Sequence, residues 1–181
     1  EAPVVVTAAD ALLVNLGTLS TDGMMGIPAT VAARPEGIPW VLDPTAIGLA
    51  PVRTRMAREF LDAAPDVVKG NASEILALVG GPGGRGADAA DAPEHAVDAA
   101  IEVACRTGGV VVVSGPTDVV VTAKGVAARI VRGHPMMVRV TGTGCLLGAL
   151  TAGCLVAADD SRASAQSRVA PLDTLSPATA E

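Results

Sequence analysis

The sequence predicts an α/β domain: a mostly parallel sheet covered by helices, with antiparallel strands added at one edge. Three observations carry this. Short β-branched apolar runs alternate with helix-length segments through the first part of the chain, the pattern of strand–helix–strand units. Between residues 110 and 140 the strand-like runs are separated by only a few turn residues, as in antiparallel hairpins. The apolar half of the composition is mostly Ala, Val and Leu, with one Phe, one Trp and no Tyr, so the core is built from small branched side chains. Such side chains suit strands buried on both faces.

Residues 11–16 form a short apolar run closed by Gly17-Thr18, a buried strand. Ser20 or Thr21 then caps a helix to about residue 34, which Pro28 must kink or divide. The next strand covers residues 38–42 and ends in Asp43-Pro44, where proline disfavours further pairing. A helix over residues 54–64 is stopped by Pro65. Val67-Val68 is a brief strand leading to Lys69-Gly70-Asn71-Ala72-Ser73-Glu74-Ile75, in which Asn71 and Glu74 have capping-box spacing. Residues 80–86 hold five glycines and a proline, a surface loop. That loop lacks the Lys-Ser/Thr ending of a phosphate loop. Asp91 precedes a helix whose Val97, Ile101 and Ala104 recur at helical spacing up to Gly108-Gly109. Strands follow over residues 110–113, 119–122, 126–131 and 136–140.

The last of these enters Thr141-Gly142-Thr143-Gly144-Cys145 and an apolar segment to Ala158, expected to be a buried helix. Two glycines one residue apart let a ligand approach the backbone, and free N–H groups at a helix start favour an anion there. The same potential favours a negatively charged sulfur at Cys145. An ordinary strand–turn–helix joint, with Cys145 a small core residue, accounts equally well for this stretch taken alone. From residue 159 to 181 Ser, Ala, Thr and Pro dominate, a tail of low order.

Composition narrows the function. The 181 residues suffice for one domain with a sizeable core. A net charge of -6 and scarce aromatic rings argue against nucleic-acid binding. The three cysteines, Cys105, Cys145 and Cys154, have neither zinc-ligand nor disulfide-framework spacing, which points to a reducing compartment. The longest apolar run is too short to span a bilayer and no targeting segment opens the chain, so a cytoplasmic protein is expected.

Ligands of open α/β sheets bind beyond the carboxyl ends of the strands. At such ends stand Asn15 with Gly17-Thr18, Asp43, Lys69 with Asn71 and Glu74, Ser114-Gly115, and the glycine turn with Cys145. Together these are the equipment of phosphoryl transfer: carboxylates, one positive charge, and donors around a travelling group. Each has a plainer role. Asp43 before proline is a turn former, Glu74 caps its own helix, and Lys69 is a solvated loop lysine. Ser114-Gly115 ends a strand, His134 sits in a hairpin turn, His95 is on a helix surface, and Cys105 and Cys154 pack between helices.

Val41-Leu42-Asp43-Pro44, the Lys69 to Ile75 block, Val113-Ser114-Gly115 with Asp118, Gly133-His134-Pro135 and Val140-Thr141-Gly142-Thr143-Gly144-Cys145 occur in that order. Together with Asn15-Leu16-Gly17-Thr18-Leu19 they resemble hydroxyethylthiazole kinase, of the ribokinase-like superfamily, from about residue 8 to about residue 158. The resemblance implies a ribokinase-like fold and ATP- and Mg²⁺-dependent phosphorylation of the alcohol of 4-methyl-5-(2-hydroxyethyl)thiazole in thiamine salvage. It implies that Cys145 stands where sister kinases carry an aspartate base. Lys69, Ser114, Thr143 and Gly144 then contact ATP, while Gly142, Asn15 and Gly17 line the alcohol site. Asp43 and Glu74 organise Mg²⁺ through waters. The family has Arg at Lys69 and Thr at Ser114, and lysine lacks the two-oxygen grip of a guanidinium. An N-terminal segment and later C-terminal helices of the family are missing, and with them present the family's homotrimer places each site between subunits. Two rival readings are a catalytically silent nucleotide-binding or oligomer-interaction module, and a sister pyrimidine or pyridoxal-type kinase.

Overall fold

The computed structural model describes residues 1–81 and 92–168. Six strands form one sheet in chain order: β1 (Leu12–Asn15), β2 (Trp40–Asp43), β3 (Val67–Asn71), β4 (Val110–Ser114), β5 (Asp118–Thr122) and β6 (Gly125–Ile130). β1 to β4 run parallel, and β5 and β6 return antiparallel, as the short connections require. Helices α1 (Ala2–Val5), α2 (Thr21–Ala33), α3 (Pro51–Phe60), α4 (Ala72–Leu78), α5 (Val97–Thr107) and α6 (Thr143–Arg168) complete the described architecture with four short 3-10 turns.

Because the parallel strands advance across the sheet in one direction, right-handed crossovers put their connecting helices on one face. That face holds the main core. Val14, Leu42, Val68 and Val111 of the strands pack against Met56, Phe60, Ile75, Ala100 and Val103. Trp40, fully buried, is its largest member; its indole N–H donates to the Ala63 carbonyl and its ring meets Phe60 edge-on at 6.4 Å. Each buried Val, Leu or Ile adds roughly 1.5–3 kcal/mol over an exposed one. On the opposite face Leu13, Val41, Val67 and Val110 meet Ala152 and Leu155 of α6.

Local signals set the ends as read. Ser20 caps α2 by accepting from Gly23 N–H, and Asn71 and Glu74 form a reciprocal capping box on α4. Gly108, at φ 72°, terminates α5 in the left-handed conformation. Pro28 does not divide α2, which runs unbroken past it. Residues 82–90 and Asp91, including most of the glycine loop, lie outside the described residues, as do residues 169–181.

Four further expectations are corrected. Residues 136–140 form no strand: Pro135–Arg139 is a 3-10 turn, with His134 Nδ1 accepting from Met136 N–H. Proline at its first position has no N–H for a ladder and a φ suited to a helical turn. The apolar segment to Ala158 is a helix but not a buried one, since Leu146 and Leu150 are each 58% exposed. It meets the sheet through Gly148, Ala152 and Leu155, and among the described residues none covers Leu146 or Leu150. Cys105 and Cys154 are exposed rather than packed between helices. α6 also continues to Arg168, beyond the expected start of the tail at residue 159.

Candidate active site

Strand alternation decides which polar groups meet. Leu13, Val41 and Val67 face α6, so two residues further along the same face come Asn15, Asp43 and Lys69. The β1–β2 register pairs Asn15 directly with Asp43. Above them stands the start of α6. Gly142, at φ 94°, supplies the carbonyl for the first helical bond, accepted from Leu146 N–H at 2.8 Å. Gly142 is therefore the N-cap, and the N–H groups of Thr143, Gly144 and Cys145 have no acceptor within the helix.

Gly144, Gly148 and Ala152 recur every four residues on the face of α6 turned to the sheet. A Cβ on Gly144 would lie 3.2 Å from Lys69 Nζ, and one on Gly148 would lie 3.2 Å from Leu13 and 3.5 Å from Asp43 Oδ2. Side chains at those positions would lift the helix; their absence lets its N-terminus settle directly over the lysine.

The resulting cluster is tightly bonded. Asp43 is completely buried; Oδ1 accepts from Thr45 Oγ1 at 2.6 Å, while Oδ2 accepts from Asn15 Nδ2 at 2.9 Å and Lys69 Nζ at 3.2 Å. Lys69 is only 5% exposed, so it is no solvated loop lysine. Asn15 Nδ2 also reaches Cys145 Sγ at 3.4 Å, and Cys145 itself is open to solvent. The reading of Cys145 as a small core residue is excluded. An ammonium charge, a helix start and an exposed sulfur thus converge beyond the strand ends, an arrangement suited to an anion arriving beside an acceptor for a proton.

Glu74 belongs to the frame. Its Oε1 accepts from Ala46 N–H and its Oε2 from Asn71 N–H, both at 2.8 Å, tying the loop after β2 to the end of β3. Burial raises its carboxyl pKa above the ordinary 4.5 and Asp43 pushes the same way; the two backbone donors and Lys69 oppose this without cancelling it. Ala46 accepts a left-handed backbone, φ 62°, to present that N–H.

Asp43 and Glu74 do not fit as direct magnesium ligands. Every oxygen of both already accepts a protein hydrogen bond, and both groups are shut away from solvent. Among the described residues no group of three acidic, cysteine or histidine side chains gathers as a metal set.

Other expected site residues stand differently. Ser114 lies opposite Asn71, half-buried on the same face but one row beyond Lys69. Thr143 turns its hydroxyl back to the carbonyls of Met137 and Val140, pinning the glycine turn to the preceding 3-10 turn. Gly17 serves locally: its N–H donates to Asn15 Oδ1 at 2.8 Å, and a Cβ there would press to 2.9 Å from that oxygen. Thr45 escaped the sequence reading. A hydroxyl two residues past a strand-end aspartate, in position to bond back to it, was the available signal. A surface groove of about 470 Å³ lined by Arg55, Arg58 and Arg106 contains none of these residues, and Arg58 and Arg106 donate to Ala77 O and Asp62.

Known proteins resemble this chain in sequence and in fold. A model described as the hydroxyethylthiazole kinase family matches residues 1–179. A protein named hydroxyethylthiazole kinase from Kineococcus radiotolerans is 50% identical over 155 residues, 84% of this chain and 56% of its own length. One from Corynebacterium glutamicum is 48% identical over 163 residues, 89% of this chain and 60% of its own length. The chain therefore spans less than two thirds of these relatives. The solved hydroxyethylthiazole kinase of Pyrococcus horikoshii superposes with a TM-score of 0.73 at 33% identity, over 86% of this chain and 58% of that one. Bacillus subtilis pyridoxal kinase, solved as an ADP complex, gives a TM-score of 0.61 at 17% identity over 82% and 57%, a likeness of fold alone. The fold is ribokinase-like.

Proposed function

From the premise that this chain belongs to the hydroxyethylthiazole kinase family, we propose that it transfers the terminal phosphoryl group of ATP to the hydroxyethyl oxygen of 4-methyl-5-(2-hydroxyethyl)thiazole, a step of thiamine salvage. The observation that carries the reading is Lys69 Nζ lying beneath Gly144, with Cys145 alongside in reach of Asn15.

In this reading the alcohol oxygen attacks the terminal phosphorus, the bond to the bridging oxygen breaks, and ADP leaves. Cys145 sulfur receives the alcohol proton. The N–H groups of Thr143, Gly144 and Cys145, with Lys69 behind them, hold charge on the moving group. Asp43 keeps the ammonium in place and offsets its charge until the nucleotide arrives. Gly142, Asn15 and Gly17 border the alcohol, and Ser114 contacts the nucleotide. Asp43 and Glu74 act as supports for Lys69 and for the loop after β2 rather than as ligands of a divalent ion.

The working unit in this reading is a kinase domain over residues 1–158, from which α6 runs on to Arg168. It is a cytoplasmic homotrimer when the segments that complete the family fold are present, and it engages neither nucleic acid nor membrane. No described helix is long and apolar enough to cross a membrane.

The test is ADP release by the purified chain. Release that needs ATP, the thiazole alcohol and Mg²⁺ together is the expected result. ATP binding without turnover at saturating alcohol would instead establish the silent nucleotide-binding module, and turnover only with a pyrimidine or pyridoxal-type alcohol the sister kinase.

A further inference from the structure

We infer that Asn15 is the positioning residue for the Cys145 sulfur, and that Thr45 competes with that sulfur for the same amide hydrogen. The carbonyl end of Asn15 is committed, because Gly17 N–H donates to Oδ1 at 2.8 Å. This fixes the amide so that its two hydrogens face the cluster. Three acceptors stand within reach of Nδ2: Asp43 Oδ2 at 2.9 Å, Thr45 Oγ1 at 3.3 Å and Cys145 Sγ at 3.4 Å. Asp43 is charged and nearest, so it takes one hydrogen. The second is divided between a hydroxyl and a sulfur at nearly equal distance.

Thr45 cannot repay what it takes. Its own hydrogen goes to Asp43 Oδ1 at 2.6 Å, so toward Asn15 its oxygen acts only as an acceptor. Nor can the amide swing aside to serve the sulfur fully, since Gly17 and Asp43 hold its two ends. Whatever Thr45 takes is lost to Cys145. An N–H directed at sulfur stabilises its anionic, nucleophilic form and holds the side chain toward the glycine turn. The role in turnover rests on the kinase reading; the effect on the sulfur does not.

The experiment is peptide-resolved alkylation of the chain with iodoacetamide at neutral pH. The exposed Cys154, further along the same helix, is the internal standard. Asn15→Leu is expected to lower the Cys145-to-Cys154 rate ratio about five-fold, the loss of one hydrogen bond of ordinary strength. Thr45→Val is expected to raise the ratio about two-fold or more by releasing the shared hydrogen, and Thr45→Ser to leave it at the wild-type value. Opposite signs are the discriminating feature, since simple loosening of the site moves both variants the same way. An unchanged ratio in Asn15→Leu, or shifts of the same sign in Asn15→Leu and Thr45→Val, overturns the inference. Should Asn15→Leu fail to bury Trp40, Thr45→Val decides alone, and a ratio at or below wild type overturns it. ADP release is measured separately: a wild-type chain without turnover contradicts the kinase reading while the ratio test still stands or falls by itself.

Discussion

Asp43 is the residue on which the site turns, and its energetics are those of a buried ion pair. Lys69 and Asp43 are both shut away from water. Removing one partner strands the other charge at a cost of about 3–5 kcal/mol, far more than an exposed pair contributes. Lys69→Met is therefore expected to lower unfolding free energy by that amount, followed in urea through the fluorescence of Trp40. A loss below about 1 kcal/mol would mean that water reaches the pair. Glu74 gives a pH-dependent counterpart. Its folded carboxyl titrates above the 4.5 of an exposed glutamate. The contribution to stability is thus complete below that value and is lost as pH rises through the raised folded one. Between pH 4 and pH 8 the stability of wild type should fall relative to Glu74→Gln; parallel curves would contradict the burial argument. Asp43, Lys69 and Glu74 were legible as strand-end and capping residues from their spacing. That every oxygen of both acids is already taken was not, because hydrogen-bond saturation depends on Asn15 and Lys69 reaching Asp43, and on Ala46 reaching Glu74, from other segments of the chain.

Among the elements, α6 makes the site by how closely it lies on the sheet. Gly148 sits against Leu13 and Asp43, so a branched side chain there has nowhere to go. Gly148→Val is expected to destabilise by roughly 1–3 kcal/mol, and to raise the KM for ATP by lifting the helix start from Lys69. Gly153, with nothing within 4 Å of its missing Cβ, is the control. Gly153→Ala should stabilise by about 0.5–1 kcal/mol through helix propensity and leave KM alone. Equal effects of the two substitutions would deny the stripe its role. The sequence showed a glycine turn and an apolar helix, yet apolar composition does not say which face is covered. The expectation of a buried helix failed at Leu146 and Leu150 for that reason. The strand expected over residues 136–140 failed on a local conflict, where Pro135 and the His134 cap outweighed a β-branched composition.

For the whole molecule, the order of strands in the sheet equals their order in the chain. Parallel strands deliver their carboxyl ends to one edge, so groups separated by up to 130 residues, Asn15 and Cys145, come within hydrogen-bond reach. That convergence was readable in outline, because alternating strands and helices imply it without any knowledge of side-chain contacts. The cluster ends with one sulfur exposed above a sealed ion pair, and in the proposed reaction this sulfur takes the proton of the alcohol. Initial rates of ADP release for wild type and Cys145→Ala, at saturating ATP, Mg²⁺ and thiazole alcohol, test it most directly. A fall in kcat of about 10²-fold or more is expected, with the Lys69–Asp43 pair and overall stability unchanged. Turnover by Cys145→Ala at the wild-type rate would contradict it.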